Sequence, residues 1–151
     1  MAILDYNQKK TGQSRVFDKS SNISKVDTYS DLDLFFKKHP ILNDITPLRD
    51  LDAVKQAVVN LVLTNFFERP FHPEIGGNVT SKLFEPADRF TASEIRDEIK
   101  EVLKNHEPRV NGVNVSVFDR SDANAYTVNI EFNIIFLQTE TEVTFNLQRL
   151  R

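Results

Sequence analysis

The sequence contains no cysteine and no tryptophan, a single methionine, and only 4 Gly and 6 Pro among 151 residues. Without cysteine there is no disulfide, thiolate nucleophile, zinc knuckle or iron–sulfur cluster to consider. No run of about 18 uncharged apolar residues occurs, so no helical membrane span is expected. The opening Met-Ala-Ile-Leu-Asp-Tyr-Asn-Gln-Lys-Lys also lacks the apolar stretch of a signal peptide. A cytoplasm-like compartment is therefore the expected setting. A chain of this length buries about two-thirds of its unfolded surface, which sustains a core without metal or disulfide.

Dense positive charge is missing too. Residues 1–30 carry Lys9, Lys10, Arg15, Lys19 and Lys25 against Asp5, Asp18 and Asp27, whereas the remainder has 14 cations and 19 anions. Phosphate-backbone binding rests on closely spaced Lys and Arg, so neither nucleic acid nor a membrane is an expected partner.

The usual catalytic constellations are sparse. Only His39, His72 and His106 could serve a histidine mechanism. His39 lies in a Lys-Lys-His-Pro turn, and His72-Pro73-Glu74 supplies two potential metal ligands where three or four are needed, so no metal and no cofactor are expected. Neither a Gly-x-Ser-x-Gly elbow nor a glycine-rich phosphate loop occurs. Paired carboxylates remain, because glycoside hydrolysis needs only two, roughly 5–9.5 Å apart. Glu68, Glu74, Glu85 and Glu107 all fall in expected loops, where salt bridging and capping are their alternative employment.

What is present is punctuation and periodicity. The Gly and Pro residues fall at expected breaks, with Gly76 and Gly77 in a central loop, Gly112 in a turn and Pro47 between segments. Residues 1–30 keep neither helical nor strand period and read as an N-terminal arm, either a disordered tail or a segment ordered by a partner with Val16-Phe17 as its anchor. Leu32, Leu34 and Phe36 alternate as a short strand, and Ile41 to Ile45 reads as a second extended piece. Asp50 is a plausible N-cap for a helix to about Asn65, with Leu51, Val54, Val58, Leu61 and Val62 on its buried face. Thr91-Ala92-Ser93-Glu94 has the form of a capping box, with Phe90 and Ile95 as staple; Ile95, Ile99, Val102 and Leu103 make the stripe of a second helix that Pro108 stops near His106. Three alternating runs follow: Val113–Val117, Tyr126–Phe136 and Val143–Leu147. Phe132, Phe136 and Phe145 are thereby assigned to one buried sheet face. The expected fold is α+β, with two amphipathic helices on one face of a mainly antiparallel sheet in a domain spanning 31–151.

Two strings do not follow from periodicity: Glu68-Arg69-Pro70-Phe71-His72-Pro73-Glu74-Ile75-Gly76 after the first helix and Glu107-Pro108-Arg109-Val110 after the second. Their prolines stiffen the loops, Phe71 and Ile75 could pin the first to the core, and Arg109 offers a planar fork to a carboxylate or to carbonyls. In the order helix, Asn-Phe-Phe-Glu-Arg-Pro-Phe-His-Pro-Glu-Ile-Gly, Leu83-Phe84-Glu85-Pro86, capped helix, Glu-Pro-Arg and three strands, residues 30–151 resemble the baseplate wedge (GPW-like) family of contractile-tailed phages and related injection machines. Members have often carried a "lysozyme-like" label.

The resemblance implies a structural, non-enzymatic protein of the virion tail baseplate, assembled in the host cytoplasm. Its implied partners are other wedge subunits through their helical core bundle, the tail sheath protein, and tail-tube or hub proteins. It implies that Glu107, Pro108 and Arg109 hold the core bundle, and that the C-terminal strand, with Val143, Phe145 and Leu147, offers an edge on which sheath assembly starts. On composition alone that strand is an ordinary edge, guarded by Arg149 and Arg151. A peptidoglycan-cleaving glycosidase is the competing reading.

Overall fold

The computed structural model describes residues 29–41, 43–86, 88–120 and 125–148. Val16-Phe17, Arg149 and Arg151 lie outside them. The elements run β1 (Ser30–Leu32), β2 (Pro47–Arg49), α1 (Leu51–Leu63), α2 (Val79–Lys82), α3 (Arg89–His106), β3 (Val110–Arg120), β4 (Ala125–Ile134) and β5 (Thr139–Gln148). β1 and β2 form an antiparallel ribbon, and β3-β4-β5 an antiparallel meander with β4 in the middle. This is the α+β class that the periodicities require.

Alternation in β4 and β5 explains where the core sits. Tyr126, Val128, Ile130, Phe132 and Ile134 face inward from β4, and Val143, Phe145 and Leu147 from β5. Register places Tyr126 opposite Leu147, Val128 opposite Phe145 and Ile130 opposite Val143. Ile95, Ile99, Val102 and Leu103 of α3 and Val54, Val58, Leu61 and Val62 of α1 complete one hydrophobic cluster with them. The opposite sheet face is polar and cross-linked: Thr127 donates to Asn146 (2.9 Å) and Thr144 to Asn129 (3.0 Å).

Several boundaries differ from the sequence reading. The alternation at Leu32, Leu34 and Phe36 does not make a strand beyond Leu32. Asp33 is buried, its carboxylate accepts the Phe35 amide (2.9 Å) and its carbonyl the Phe36 amide (3.0 Å), with Phe36 at φ 50°. A side chain that bonds local backbone competes with ladder formation, and here the turn wins. The segment after Ile41 contributes only a bridge between Lys38 and Ile45. Pro47 opens β2 instead of separating segments, a position that needs no amide donor on the strand's free side. Gly112 lies inside β3, at φ 61°, where the register with β4 slips between Asn111 and Asn114. This bulge is why the inward-facing set of β3 is broken.

The helix starts also moved. Asp50 occupies the N-cap of α1, but its carboxylate accepts from the Tyr29 amide (3.3 Å) and caps no amide of the helix. In α3 the cap is Asp88, whose carboxylate accepts the Thr91 amide at 2.8 Å. Thr91 is already helical, its hydroxyl donates to the Pro86 carbonyl (2.9 Å), and Glu94 pairs with Lys82 (2.8 Å). Starting the helix earlier puts Phe90 on its outer face, exposed, so it forms no staple with Ile95.

Asp88→Ala is expected to lower the melting temperature by a few degrees, with Asp88→Asn recovering most of the loss. The bonded Thr91 amide holds the Asp88 carboxyl below its ordinary value. The cap's contribution is thus complete above the unfolded carboxyl's pKa, about 3.9, and is lost as pH falls through the lower folded value. Thermal melts at pH 7 and pH 2.5 check both: the variant's deficit should be smaller at the second than at the first.

Candidate functional site

The turn after α3 is built by its own sequence. Pro108 pushes Glu107 out of helical geometry (φ −124°, ψ 80°), while the Glu107 amide still donates to the Leu103 carbonyl (3.0 Å). The Glu107 side chain then folds back and is only 6% exposed. A buried carboxylate needs a partner, and Arg109 supplies a fork: Nε to Oε1 at 2.6 Å and Nη2 to Oε2 at 2.6 Å. This hydrogen-bonded carboxylate raises the guanidinium further above its already high value, so it stays charged at every working pH.

Two other segments wall the turn. The Arg109 guanidinium carbon sits 5.4 Å from the Tyr29 ring centroid, within cation–π range, and Tyr29 meets Phe136 edge-on at 6.4 Å. Tyr29 is itself held, because its carbonyl accepts the Asp50 amide at 2.7 Å. The Arg109 carbonyl accepts the Ile135 amide (3.0 Å), tying the turn to the connection between β4 and β5. β4 ends at Ile134, so Phe136 is 65% exposed and not on the buried sheet face. Its role is to back Tyr29. Tyr29 and Phe136 were missed as parts of this site because neither signal is local: one belongs to a segment without period, the other looked like a continuation of β4.

Of the residues nominated from sequence, Glu107, Pro108 and Arg109 lie together at this turn. Val143, Phe145 and Leu147 point into the core, each at most 2% exposed. What β5 can present to another chain is its outer backbone edge, since alternate amides and carbonyls of an edge strand point away from the sheet.

Each loop carboxylate has a partner of its own. Glu68 accepts from the Asn65 side chain (2.7 Å) and amide (3.0 Å), Glu74 meets His72 (3.1 Å), Glu85 pairs with Lys82 (3.2 Å) and Glu107 with Arg109. Hydrogen bonding from Asn65 lowers the pKa of Glu68; a backbone hydrogen bond and the His72 contact lower that of Glu74. A general acid requires the opposite shift. A shallow groove of about 450 Å³ does hold carboxylates, but on the polar face of the meander, where Glu131 lies opposite Glu142 beside Glu140 and Asn114. Among the described residues no group of three His, Asp or Glu side chains could hold a metal ion.

The loop 65–75 is apolar on its outside. Ile75 packs against the core, but Phe71 is 91% exposed and Phe67 84%, so Phe71 does not pin the loop. Phe67 adopts φ 67° and its amide donates to the Pro73 carbonyl (3.0 Å). The loop is held by backbone and carboxylate bonds, which leaves both rings in solvent.

Residues 49–139 match the family model described as "Baseplate wedge protein gp25", a span that includes the aromatic loop and the Glu107 to Arg109 turn. The chain belongs to this family. Its similarity to the baseplate wedge protein gp25 of Enterobacteria phage T4 amounts to 30% identity over 115 residues, covering 76% of this chain and 85% of the relative. Two solved structures are similar to this chain in fold. One is described as a putative tail lysozyme from Geobacter sulfurreducens, with a TM-score of 0.59 at 21% identity over 65% of this chain and 89% of its own. The other is the baseplate complex from the type VI secretion system, with a TM-score of 0.52 at 14% identity over 64% and 92%. At these identities the structural likenesses speak for the fold of this wedge-family chain and not for its chemistry.

Arg109→Ala is expected to cost this wedge-family protein about 1–3 kcal/mol, because it strands a buried carboxylate. Glu107→Gln/Arg109→Gln, which removes both charges, should cost less. Urea melts of the two variants against the parent check the order.

Proposed function

We propose that this chain is a structural subunit of a contractile-tail baseplate, located in the virion tail. In the inner wedge it joins neighbouring subunits through the turn at Glu107, Pro108 and Arg109 and starts sheath assembly at the outer edge of β5. The observation that carries the reading is the number of large apolar side chains left in solvent: Phe35, Phe36, Ile41, Phe67, Phe71 and Phe90 are all more than half exposed. Apolar side chains this exposed are available for burial against partners. Family membership supports other baseplate subunits as those partners, and edge-strand addition is a direct means of recruiting a sheath chain.

The turn is suited to the role because it is preformed. Glu107, Tyr29 and Phe136 fix Arg109 before any partner arrives, so little rotamer entropy is lost on docking. Arg109→Lys retains the charge and loses the fork. It should leave a folded domain and lower co-assembly with wedge subunits of the same tail by about tenfold, equivalent to one strong interface contact. Unchanged co-assembly removes the turn from the interface. Thr144→Lys, on the exposed face of β5, tests the edge separately: sheath nucleation should fall while wedge assembly persists.

The glycosidase reading has less support, since the loop carboxylates are engaged elsewhere and two of them are shifted away from general-acid behaviour. Incubation with cell-wall sacculi should release no reducing ends. Release that disappears in Glu131→Gln or Glu142→Gln would reinstate it, with the groove as its site.

A further inference from the structure

We infer that the groove on the outer face of the meander is a docking site for this chain's own N-terminal segment, residues 9–15, which places its three cations on Glu131, Glu140 and Glu142. The inference is independent of the wedge reading, which uses neither that face nor that segment.

The groove exists because β3 is bent. The bulge between Asn111 and Asn114 bends the strand, and Gly112, at the bend, lines the groove without a side chain to fill it. A Cβ there would come 3.1 Å from Nδ2 of Asn133. The charge of the groove is one-sided. Glu131 stands directly opposite Glu142, and Glu140 stands opposite Asn133. Like charges opposite each other on neighbouring strands destabilise the pairing. Among the described residues no Lys or Arg lines this concavity, and Glu131 accepts a hydrogen bond from Asn114 Nδ2 (3.0 Å), a neutral donor. All three carboxylates are exposed, so cations brought from elsewhere can reach them. The fitting occupant is extended, basic and otherwise polar, to match Asn114, Asn133 and Thr141 between the carboxylates.

The chain carries such a segment, and its tether ends in the right place. Residues 9–15 read Lys-Lys-Thr-Gly-Gln-Ser-Arg, three cations and no anion with only Gly and polar residues between them. Residues 16–28 carry Lys19 and Lys25 against Asp18 and Asp27, so they balance and serve as the link. That link joins the described structure at Tyr29, whose ring meets Phe136 in the connection between β4 and β5. The same connection joins the strand ends that carry Asn133 and Glu140. A coil the length of residues 16–28 spans about 20 Å root-mean-square. The far pair of the groove, Glu131 with Glu142, lies three residues along the strands from the Ile134–Thr139 pair, or about 10 Å. The segment is therefore held near the groove at an effective concentration on the order of millimolar. Exposed ion pairs are individually weak, so tethering decides the occupant: the chain's own segment outcompetes a free basic partner.

Because the sequence has no cysteine, a nitroxide can be attached at a single position of the full chain, Ser14→Cys, and read through nitrogen-15 amide signals. The expected result is broadening at Glu131, Thr141 and Glu142 and none at Thr127 and Asn146, further along the same face. The broadening should be lost in Lys9→Gln/Lys10→Gln/Arg15→Gln and in Glu131→Gln/Glu142→Gln, with the remaining signals unmoved as the check on folding. It should also be lost on raising NaCl from about 50 to about 500 mM, which shortens the screening length about threefold. Three results overturn the inference: no broadening in the groove, broadening that survives neutralisation of either side, and broadening seen only when spin-labelled chain is mixed with isotope-labelled chain that carries no nitroxide. The last assigns the groove to the segment of a second copy.

Discussion

Phe145→Ala should remove about 3–5 kcal/mol of folding stability, the range for truncating a buried aromatic ring. Phe145 is 1% exposed, lies opposite Val128 in the register, and belongs to the cluster formed by the sheet and both long helices. It is also on an edge strand with only one neighbour, so the cavity can be relieved by β5 peeling from β4 more readily than by the core closing around it. Domains of this size have a net stability of about 5–15 kcal/mol. The variant is therefore expected to be poorly folded at 37 °C and to lose its near-ultraviolet circular dichroism, and the proposed sheath nucleation would fail with it. Such a result says nothing about Phe145 as a contact. For that reason the edge is tested with Thr144→Lys, whose side chain is outside the core.

Gly76→Ala is expected to cost about 2–4 kcal/mol, the sum of a strained backbone and an overpacked contact. Gly76 has φ 131°, a region L side chains rarely occupy, and a Cβ there would lie 2.6 Å from the Thr64 carbonyl oxygen and 2.9 Å from the Asn65 carbonyl carbon. Those are backbone atoms at the end of α1, so no rotamer change relieves the clash. The Gly77 amide donates to the same Thr64 carbonyl (3.0 Å), and a Cβ on Gly77 would lie 2.6 Å from Cγ2 of Val102 in α3. The glycine pair thus lets the returning loop pass between the two helices. Beyond lost stability, Gly76→Ala should loosen the loop that displays Phe67 and Phe71. Hydrogen exchange is the measurement: faster exchange at the Phe67 and Gly77 amides than in Asp88→Ala distinguishes loop release from general destabilisation.

The parts of the fold legible in the sequence are those in which one period persists long enough to outvote local chemistry. The stripe at Ile95, Ile99, Val102 and Leu103 and the alternation from Tyr126 to Ile134 are buried as the pattern requires. Where a single polar side chain could bond nearby backbone, it decided the local structure instead: Asp33 turned the chain at Leu34 to Phe36, and Asp88, a turn before the expected box, capped α3. The Gly112 bulge hid only the start of its strand, since the alternation at Val113, Val115 and Val117 begins beyond it. At the turn after α3, the residue types Glu, Pro and Arg were visible, but the internal pairing of Glu107 with Arg109 was not, and it changes what a substitution means. Arg109→Ala perturbs the domain as well as any interface. Tyr29 could be found only through contacts that bring the residue before β1, the β4–β5 connection and the end of α3 to one place.

Electron cryomicroscopy of the assembled tail tests wedge membership most directly. The expected density places this chain in the baseplate with the Glu107 to Arg109 turn buried against a neighbouring subunit and an added strand along the outer edge of β5. A tail that lacks the chain, or one in which that turn and that edge both face solvent, contradicts it.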